Sequence, residues 1–348
     1  IGNPPLGHSG EESIREWFLQ SETAKVLKRN FTPAQCADIG RYEGNAQGFR
    51  VLARLQMPDN PGGMQLTCAT LGAFVKYPVE ATVPSMSDRP PCFAKKFNFF
   101  QHDKALFAAV AAETGLLALS SSPAIWVRHP LAFLVEAADD ICYTIIDFED
   151  GHRLGIISYP ELEAAFLAVI GAERAAYCRD RAADMRENQR KAEFLRAMAL
   201  NALVQQLVAQ FVAREEDILR GDFTAALTKT IPAAAALQAI QERSFADIYT
   251  YRRAVEIEVA GYELAAGLLD VFVRSVNDVA ENGMAGASGY HRKICLLLPE
   301  KFRPDWDPSW RGDAYLRLLN VLDFICGMTD SYAVNLYKKI KGISLPGQ

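Results

Sequence analysis

Three polar side chains, Asp139, Tyr143 and Asp147, recur at intervals of four residues near the middle of the sequence. Since an α-helix turns once every 3.6 residues, this spacing places two carboxylates and a phenol along one helix face. The residues between them are mostly apolar, which is typical of a buried helix, so we expect both carboxylates to be buried. A buried carboxylate needs a hydrogen-bond donor, a cation or a metal ion as partner. Alternatively, both acids lie on the solvent side of an amphipathic helix or pair with Arg or Lys.

A histidine close to the start of the sequence, His8, lies where a helix is predicted to begin. The segment Ser9-Gly-Glu-Glu12 has the form of a capping box, so we expect the helix to start near Ser9. The first turn of a helix carries free N–H groups and the positive end of the helix dipole, which favour an anion such as phosphate. An imidazole there can transfer a proton near neutral pH; otherwise His8 is a surface or core histidine.

Two glycines, Gly44 and Gly48, fall inside a second predicted helix that Thr32-Pro33 starts and that runs to about Gln56. Each glycine costs about 1 kcal/mol relative to Ala in a helix. Close approach of another backbone or of a ligand accounts for them, and so does close packing of the helix itself.

A stretch with four prolines and little periodicity connects Lys76 to Lys96 and predicts a long ordered loop or lid. From residue type alone, both lysines are solvated surface residues. They are also suitable point charges for a polyanion if the loop brings them to one.

The composition limits the class of protein. Half of the 348 residues are hydrophobic and 23% are charged, enough for a large core in one big domain or two lobes. The formal net charge of -5 does not favour nucleic acid as the default ligand. Seven cysteines without C-x-x-C spacing argue against a disulfide framework or structural zinc and fit a reducing cytosol. No apolar run has the length of a membrane span, so we predict a cytoplasmic protein with no membrane partner.

Ordered motifs along nearly the whole chain resemble those of the deoxyguanosine triphosphate triphosphohydrolases of the HD superfamily. They are Ile1-Gly-Asn-Pro-Pro-Leu-Gly-His8-Ser-Gly-Glu11, Arg41-Tyr-Glu-Gly-Asn45-Ala-Gln-Gly48, Lys76-Tyr-Pro78, Lys96-Phe-Asn-Phe-Phe100, Glu136-Ala-Ala-Asp-Asp140, Glu258-Val-Ala-Gly-Tyr262 and Gly327-Met-Thr-Asp-Ser-Tyr332. The resemblance implies an all-α fold with an HD-type helical phosphohydrolase core and a C-terminal helical extension that closes the nucleotide pocket. We expect one large helical domain over residues 1–348, with the core in 1–155 and the extension in 156–348.

The resemblance also implies an activity, namely metal-dependent hydrolysis of dGTP, or of other dNTPs, to deoxynucleoside and inorganic triphosphate. In that reaction His8 is the catalytic acid/base beside the scissile phosphate and Glu11 orients it. Asn45, Lys76 and Lys96 contact the triphosphate.

The sugar and the base have their own candidate residues. Tyr143, one turn beyond Asp139, packs against C2′ and excludes a 2′-hydroxyl, while Asp147 accepts a hydrogen bond from the 3′-hydroxyl; the alternative is that Tyr143 is a core aromatic residue. By resemblance Tyr249 stacks on the base. Glu258 lies in the base and sugar pocket, where a carboxylate can accept hydrogen bonds from guanine N1–H and N2–H; the alternative is a surface glutamate.

By resemblance Asp139 is also a ligand of a divalent metal, for which Mn²⁺, Mg²⁺ and Fe²⁺ fit a mixed imidazole and carboxylate set. The other ligands of the family, a first His and a His-Asp pair, are expected before Ile1. The sequence starts inside a motif without an initiator Met, so we expect that it lacks an N-terminal portion.

Two other functions stay open on the sequence. One is a regulatory HD protein that binds a nucleotide without turnover, and the other is an HD phosphohydrolase acting on nucleoside monophosphates or cyclic nucleotides. Two lysines grouped with Asn45 favour a triphosphate. The resemblance further implies a homo-oligomer, a hexamer, and allows single-stranded DNA or a nucleotide as effector.

Overall fold

The computed structural model describes residues 1–83, 94–303 and 311–343, and these are mostly helical, as the sequence predicts. The α-helices are α1 (His8–Gln20), α2 (Glu22–Lys28), α3 (Pro33–Gly40), α4 (Gly44–Arg50), α5 (Cys68–Phe74), α6 (Lys104–Glu113), α7 (Pro130–Arg153), α8 (Tyr159–Ile170), α9 (Ala172–Ala183), α10 (Asn188–Ala213), α11 (Glu215–Arg220), α12 (Ala234–Arg243), α13 (Arg252–Gly286), α14 (Gly289–Cys295), α15 (Ala314–Cys326) and α16 (Asp330–Ile340). Short π-helical segments span Val51–Leu55 and Ser244–Ile248, and 3₁₀ turns span Gln101–Asp103, Leu227–Lys229 and Glu300–Phe302. Part of the predicted loop between Lys76 and Lys96, residues 84–93, lies outside the described residues.

A small antiparallel hairpin, β1 (Ala118–Ser121) and β2 (Ala124–Trp126), interrupts the helices. The sequence did not predict it, because strands of three and four residues are too short to show an alternating pattern. Within the described part of the chain, no helix is both long enough and apolar enough to cross a membrane.

The helix α1 starts within one residue of the predicted position, but it lacks the predicted capping box. The helix begins at His8, and the residue before it, Gly7, has a φ of 63° and provides no side-chain cap. The Ser9 hydroxyl donates to the Leu6 carbonyl oxygen at 2.8 Å instead of capping the helix. The predicted capping box is therefore wrong, because the Ser9 hydroxyl bonds to the turn before the helix and not to a backbone N–H of the first helical turn.

The predicted helix from Pro33 to about Gln56 is also wrong as one element. Its start is confirmed, since Thr32 and Gln35 form a capping box, but α3 ends at Gly40 and α4 begins at Gly44. Between them Glu43 is extended, which frees the backbone N–H of Gly44 for a partner outside the helix.

The described chain divides into two compact units. The first unit comprises the described residues of 1–83, 94–127 and 256–343, and the second comprises 128–255. In the first, Phe49, Phe99 and Phe107 pack ring against ring at centroid distances of 4.8 to 5.7 Å. The expected single domain with its internal boundary after residue 155 stays a prediction.

The core of the second unit lies between α7, α8, α10 and α12. Its buried side chains include Ile145, Phe166 and Leu203. The helix α7 buries only part of its surface, since Leu131, Val135, Tyr143 and Ile146 are exposed. Asp139 is exposed and Asp147 is half-buried, so the expectation that both carboxylates are buried is wrong. A helix that is apolar on most faces does not reveal from its sequence which face meets the core.

A buried carboxylate, Asp38 of α3, predicts a pH-dependent stability. Its Oδ2 accepts hydrogen bonds from the Tyr315 hydroxyl and from the Gln101 N–H at 2.6 Å, while Oδ1 has no hydrogen-bond partner among the described residues. Burial raises the pKa of Asp38 to about 7. Since this pKa is raised in the folded state, the stability linked to the bound proton is complete below about pH 4 and is lost as the pH rises to about 7.

Asp38→Asn keeps an acceptor oxygen and removes the titration. The free energy of unfolding of the variant, relative to the wild type, should therefore be higher at about pH 8 than at about pH 5. Urea unfolding at the two pH values measures the difference. Asp59→Asn, in an exposed loop, controls for the loss of a carboxylate. An equal difference at both pH values would contradict the prediction.

Candidate active site

Glu11 of α1 lies against the start of α4. One oxygen of its buried carboxylate accepts a hydrogen bond from the Gly44 N–H at 3.0 Å, and the other lies 3.4 Å from Arg15 Nη2. A Cβ on Gly44 would lie 2.5 Å from the Glu11 oxygen, so only glycine allows this approach. Burial raises the pKa of Glu11, and the neighbouring carboxylate of Glu43 raises it further. Glu11 therefore joins α1 to one of the free N–H groups at the start of α4.

His8 is the first residue of α1 and is exposed. The hydrogen bonds of Glu11 go to Gly44 and Arg15, and within the described residues none joins it to His8. The structure thus places His8 one turn before Glu11 with its imidazole accessible to a ligand. The orienting role of Glu11 stays a prediction.

Lys96 forms an ion pair with the buried Glu43. Its Nζ lies 2.9 Å from Glu43 Oε2, and Arg15 Nη2 donates to Glu43 Oε1 at 2.8 Å. Together with Glu11, these side chains form a cluster of two carboxylates and two cations at the start of α4. A phosphate that binds Lys96 therefore has to compete with Glu43 or share the ammonium with it.

The side chain of Asn98 joins the segments that carry the other predicted phosphate contacts. It is fully buried, accepts from the Tyr77 N–H at 3.0 Å and donates to the Asn45 carbonyl oxygen at 2.7 Å. We call this pair of hydrogen bonds the Asn98 bridge. It draws together the backbone next to Lys76, residue 45 and the segment following Lys96. Asn98 is not among the residues predicted from the sequence, although it lies in the motif that begins at Lys96.

The glycines of α4 allow the N-terminal segment to cross the helix. A Cβ on Gly2 would lie 2.2 Å from both the Gly44 carbonyl oxygen and the Gly48 nitrogen. A Cβ on Gly48 would lie 2.9 Å from the Ile1 carbonyl oxygen. The interpretation that another backbone approaches these glycines is thus confirmed, and we call this contact the glycine crossing.

In the second unit, three predicted residues come together on α7 and the segment before α13. The Tyr249 hydroxyl donates to Asp147 Oδ2 at 2.6 Å, and burial together with this bond raises the pKa of Tyr249. Tyr143 and Tyr249 both line a cleft of about 500 Å³. The other lining residues are Asp140, Thr144, Gln241, Glu242, Ser244 and Phe245. The cleft thus carries two phenol rings, with Asp147 fixed beside one of them.

Asp139 and Asp140 have different surroundings. Asp140 Oδ2 accepts a hydrogen bond from the Thr228 hydroxyl at 3.0 Å, whereas Asp139 is exposed. Among the described residues, no three His, Cys, Asp or Glu side chains are grouped in a way that could hold a metal ion. One carboxylate does not make a metal site, so the described residues do not form the predicted site by themselves.

Glu258 is an exposed residue of α13 in the first unit. Within the described part of that unit, no hydrogen bond or ion pair joins it to another candidate residue. Its neighbour Tyr262 donates its hydroxyl to Glu12, and this bond raises the pKa of Tyr262 to about 12. The base-recognition role of Glu258 stays a prediction.

Comparison with known proteins identifies the family. A family model described as phosphohydrolase-associated domain matches residues 227–339. The chain is 37% identical, over 99% of its length, to a deoxyguanosinetriphosphate triphosphohydrolase-like protein of Synechocystis sp., of which it covers 75%. Proteins with the same name from Pseudomonas aeruginosa and Listeria monocytogenes are 34% and 33% identical over 99% of this chain, which covers 75% and 76% of them.

The chain belongs to the deoxyguanosinetriphosphate triphosphohydrolase-like family. The family predicted from the ordered motifs is thereby confirmed, and so is the all-α, HD-type fold. These three relatives carry a name that refers to deoxyguanosine triphosphate.

Proposed function

We propose that this protein hydrolyses a deoxynucleoside triphosphate, with dGTP as the favoured substrate, to the deoxynucleoside and inorganic triphosphate. The names of its relatives support the substrate class. The observation that carries the proposal is the Asn98 bridge, because it holds together the segments that bear Asn45, Lys76 and Lys96.

The triphosphate is held by charge in this proposal. A triphosphate carries up to four negative charges, and the ammonium groups of Lys76 and Lys96 are point charges that can bind any of its oxygens. Lys96 exchanges part of its contact with Glu43 for the ligand. In this proposal the lysines bind the triphosphate as one unit, which leaves intact. The bond that breaks is therefore the one between the α-phosphorus and the sugar 5′-oxygen.

His8 completes the bond cleavage. The oxygen of a water molecule bonds to the α-phosphorus and this water loses one proton to the solvent. The bond from phosphorus to the 5′-oxygen breaks, and the imidazolium of His8 gives its proton to that oxygen and is protonated again from the solvent. The products are then a neutral deoxynucleoside and an intact triphosphate. The accessible position of His8 at the first turn of α1 supports this role.

The sugar and the base are selected by other side chains. The ring of Tyr143 leaves no room for a 2′-hydroxyl, and Asp147 accepts a hydrogen bond from the 3′-hydroxyl with a lone pair that Tyr249 does not use. Tyr249 stacks on the base, its ring held by the bond to Asp147. Glu258 accepts hydrogen bonds from guanine N1–H and N2–H.

Asp139 is proposed as a ligand of a divalent metal, Mn²⁺, Mg²⁺ or Fe²⁺. Asp139 lies on the same face of α7 as Tyr143 and Asp147, which favours Asp139 over Asp140 as the ligand. The homo-oligomer, expected to be a hexamer, the cytoplasmic location and an effector that is a nucleotide or single-stranded DNA remain predictions.

The test is the identity of the products. The protein as its gene encodes it is incubated with dGTP and each of the three metals, and the products are separated by anion exchange. Deoxyguanosine and inorganic triphosphate are expected. Pyrophosphate with dGMP would overturn the proposal, and binding of dGTP without any product would favour the regulatory alternative. Release of products only from monophosphates or cyclic nucleotides would favour the other phosphohydrolase.

Two matched pairs of variants sharpen this test. Lys96→Met should lower kcat/KM by about tenfold or more, since charge-assisted contacts contribute about 1.5–3 kcal/mol, whereas Lys95→Met, at the exposed neighbouring residue, should not. Asp139→Ala should lose bound metal and Asp140→Asn should keep it, as measured by elemental analysis. The reverse result would show that Asp140 is the ligand.

A further inference from the structure

The two residues before His8 have an unusual backbone conformation. Leu6 has a φ of 64° and Gly7 a φ of 63°, so both lie in the left-handed region. Glycine adopts this region freely, but a branched side chain such as Leu rarely does. A leucine persists there only where the surrounding structure holds it. The Leu6–Gly7 turn, which precedes His8, is therefore stabilised by contacts with other segments of the chain.

A carboxylate far away in the sequence provides one of those contacts. Asp330, the first residue of α16, accepts a hydrogen bond from the Leu6 N–H at 2.9 Å. The Leu6 carbonyl oxygen accepts from the Ser9 hydroxyl at 2.8 Å, and the Gly7 N–H donates to the Pro4 carbonyl oxygen at 3.1 Å. Both polar backbone groups of Leu6 are thus paired, the carbonyl oxygen with Ser9 and the N–H with Asp330.

The helix α13 closes the other side of this turn. A Cβ on Gly261 would lie 2.5 Å from the Ser9 hydroxyl oxygen and 3.2 Å from the Leu6 Cβ. The turn therefore has little room to relax toward α13. Two sequence motifs that take no part in the proposed bond cleavage, Gly327–Tyr332 and Glu258–Tyr262, thus contact the residues on either side of His8.

We propose that Asp330 is a positioning residue for His8, which it places by holding the Leu6–Gly7 turn. This inference rests on the proposed function, in which His8 protonates the leaving group. An acid at the first position of α16 also favours the helix dipole, which is a competing reason for its presence. A favourable interaction with the helix dipole needs the negative charge of Asp330. The hydrogen bond from the Leu6 N–H needs only an acceptor oxygen.

Three variants separate these roles. Asp330→Ala removes the acceptor, Asp330→Asn removes the charge but keeps an acceptor, and Thr329→Ala removes the side-chain cap of the same helix without touching Leu6. Misplacing a catalytic group by about 1 Å can cost up to about 100-fold in rate, so Asp330→Ala should lower kcat by about ten- to 100-fold with little change in KM. Asp330→Asn and Thr329→Ala should keep kcat close to the wild type.

Two further measurements distinguish positioning from general destabilisation. In Asp330→Ala, the fall of kcat toward alkaline pH that the acid role of His8 produces should become shallower. Hydrogen exchange of the peptide that contains Leu6 should become faster in Asp330→Ala but not in Asp330→Asn.

The outcomes separate this inference from the proposed function. If the kcat of Asp330→Ala equals that of the wild type, the inference is wrong and the proposed function stands. The same conclusion follows if Asp330→Ala and Thr329→Ala lose kcat equally. If the wild type does not hydrolyse dGTP, the proposed function is wrong, and so is the claim that Asp330 supports catalysis. If hydrogen exchange at Leu6 is unchanged in Asp330→Ala, the claim that Asp330 holds the Leu6–Gly7 turn is wrong.

Discussion

Replacing His8 by Ala is expected to lower kcat for dGTP hydrolysis by about 10²- to 10⁴-fold, the usual contribution of a general acid. His8 is exposed, so its loss opens no cavity and should leave the fold intact. Binding of a non-hydrolysable dGTP analogue should change little, because the phosphate contacts belong to other residues. Initial rates and titration calorimetry measure the two effects.

The leaving group provides the control for this prediction. An analogue of dGTP with sulfur in place of the bridging 5′-oxygen releases a thiolate, which needs no proton. The wild type and His8→Ala should hydrolyse this analogue at similar rates. An equal loss of rate with the oxygen and the sulfur substrate would mean that His8 does not act as the acid.

Replacing Tyr143 by Ala should narrow the preference for dGTP over GTP. Excluding one hydroxyl is typically worth about 1–3 kcal/mol, or roughly ten- to 200-fold in the ratio of kcat/KM values. The side chain of Tyr143 is 56% exposed and lines the cleft on α7, which argues against the alternative that it is a core aromatic residue. The ring is therefore available to meet a ligand. Steady-state kinetics with both nucleotides measure the ratio.

Tyr143→Phe is the matched variant, since it keeps the ring and removes only the hydroxyl. If the ring excludes the 2′-hydroxyl by its volume, this variant should discriminate as well as the wild type. Equal losses with dGTP and GTP in Tyr143→Ala would show that the residue only supports the fold of the cleft.

Local sequence signals predicted the start of α3, because neighbouring residues cap that helix end. Thr32 caps α3 together with Gln35, at the helix start that Thr32-Pro33 predicts. The break between α3 and α4 was not predictable in this way. It depends on Glu11, which binds a backbone N–H more than thirty residues away, and no pattern within one helix encodes that bond.

The candidate site shows the same division. Motifs identified His8, Lys96 and their companions, but the partners of these residues were found only in the structure, among them Glu43 for Lys96 and Asp330 for the Leu6 turn. Periodicity placed Asp139, Tyr143 and Asp147 on one face of α7 correctly. It did not show that this face is the accessible one, because apolar residues occur on both sides of the helix.

The glycine crossing limits how this family member can change in evolution. A Cβ on Gly2 would meet only main-chain atoms, those of Gly44 and Gly48, and no flexible side chain that could move aside. A Cβ on Gly44 would instead meet side-chain oxygens of Asn3 and Glu11 at 2.5 Å. Shortening a neighbouring side chain makes no space against a backbone, so second-site suppressors of a substitution at Gly2 should be hard to obtain. Gly2 is thus the position of the crossing that is hardest to replace, whereas a shorter neighbouring side chain can make room at Gly44.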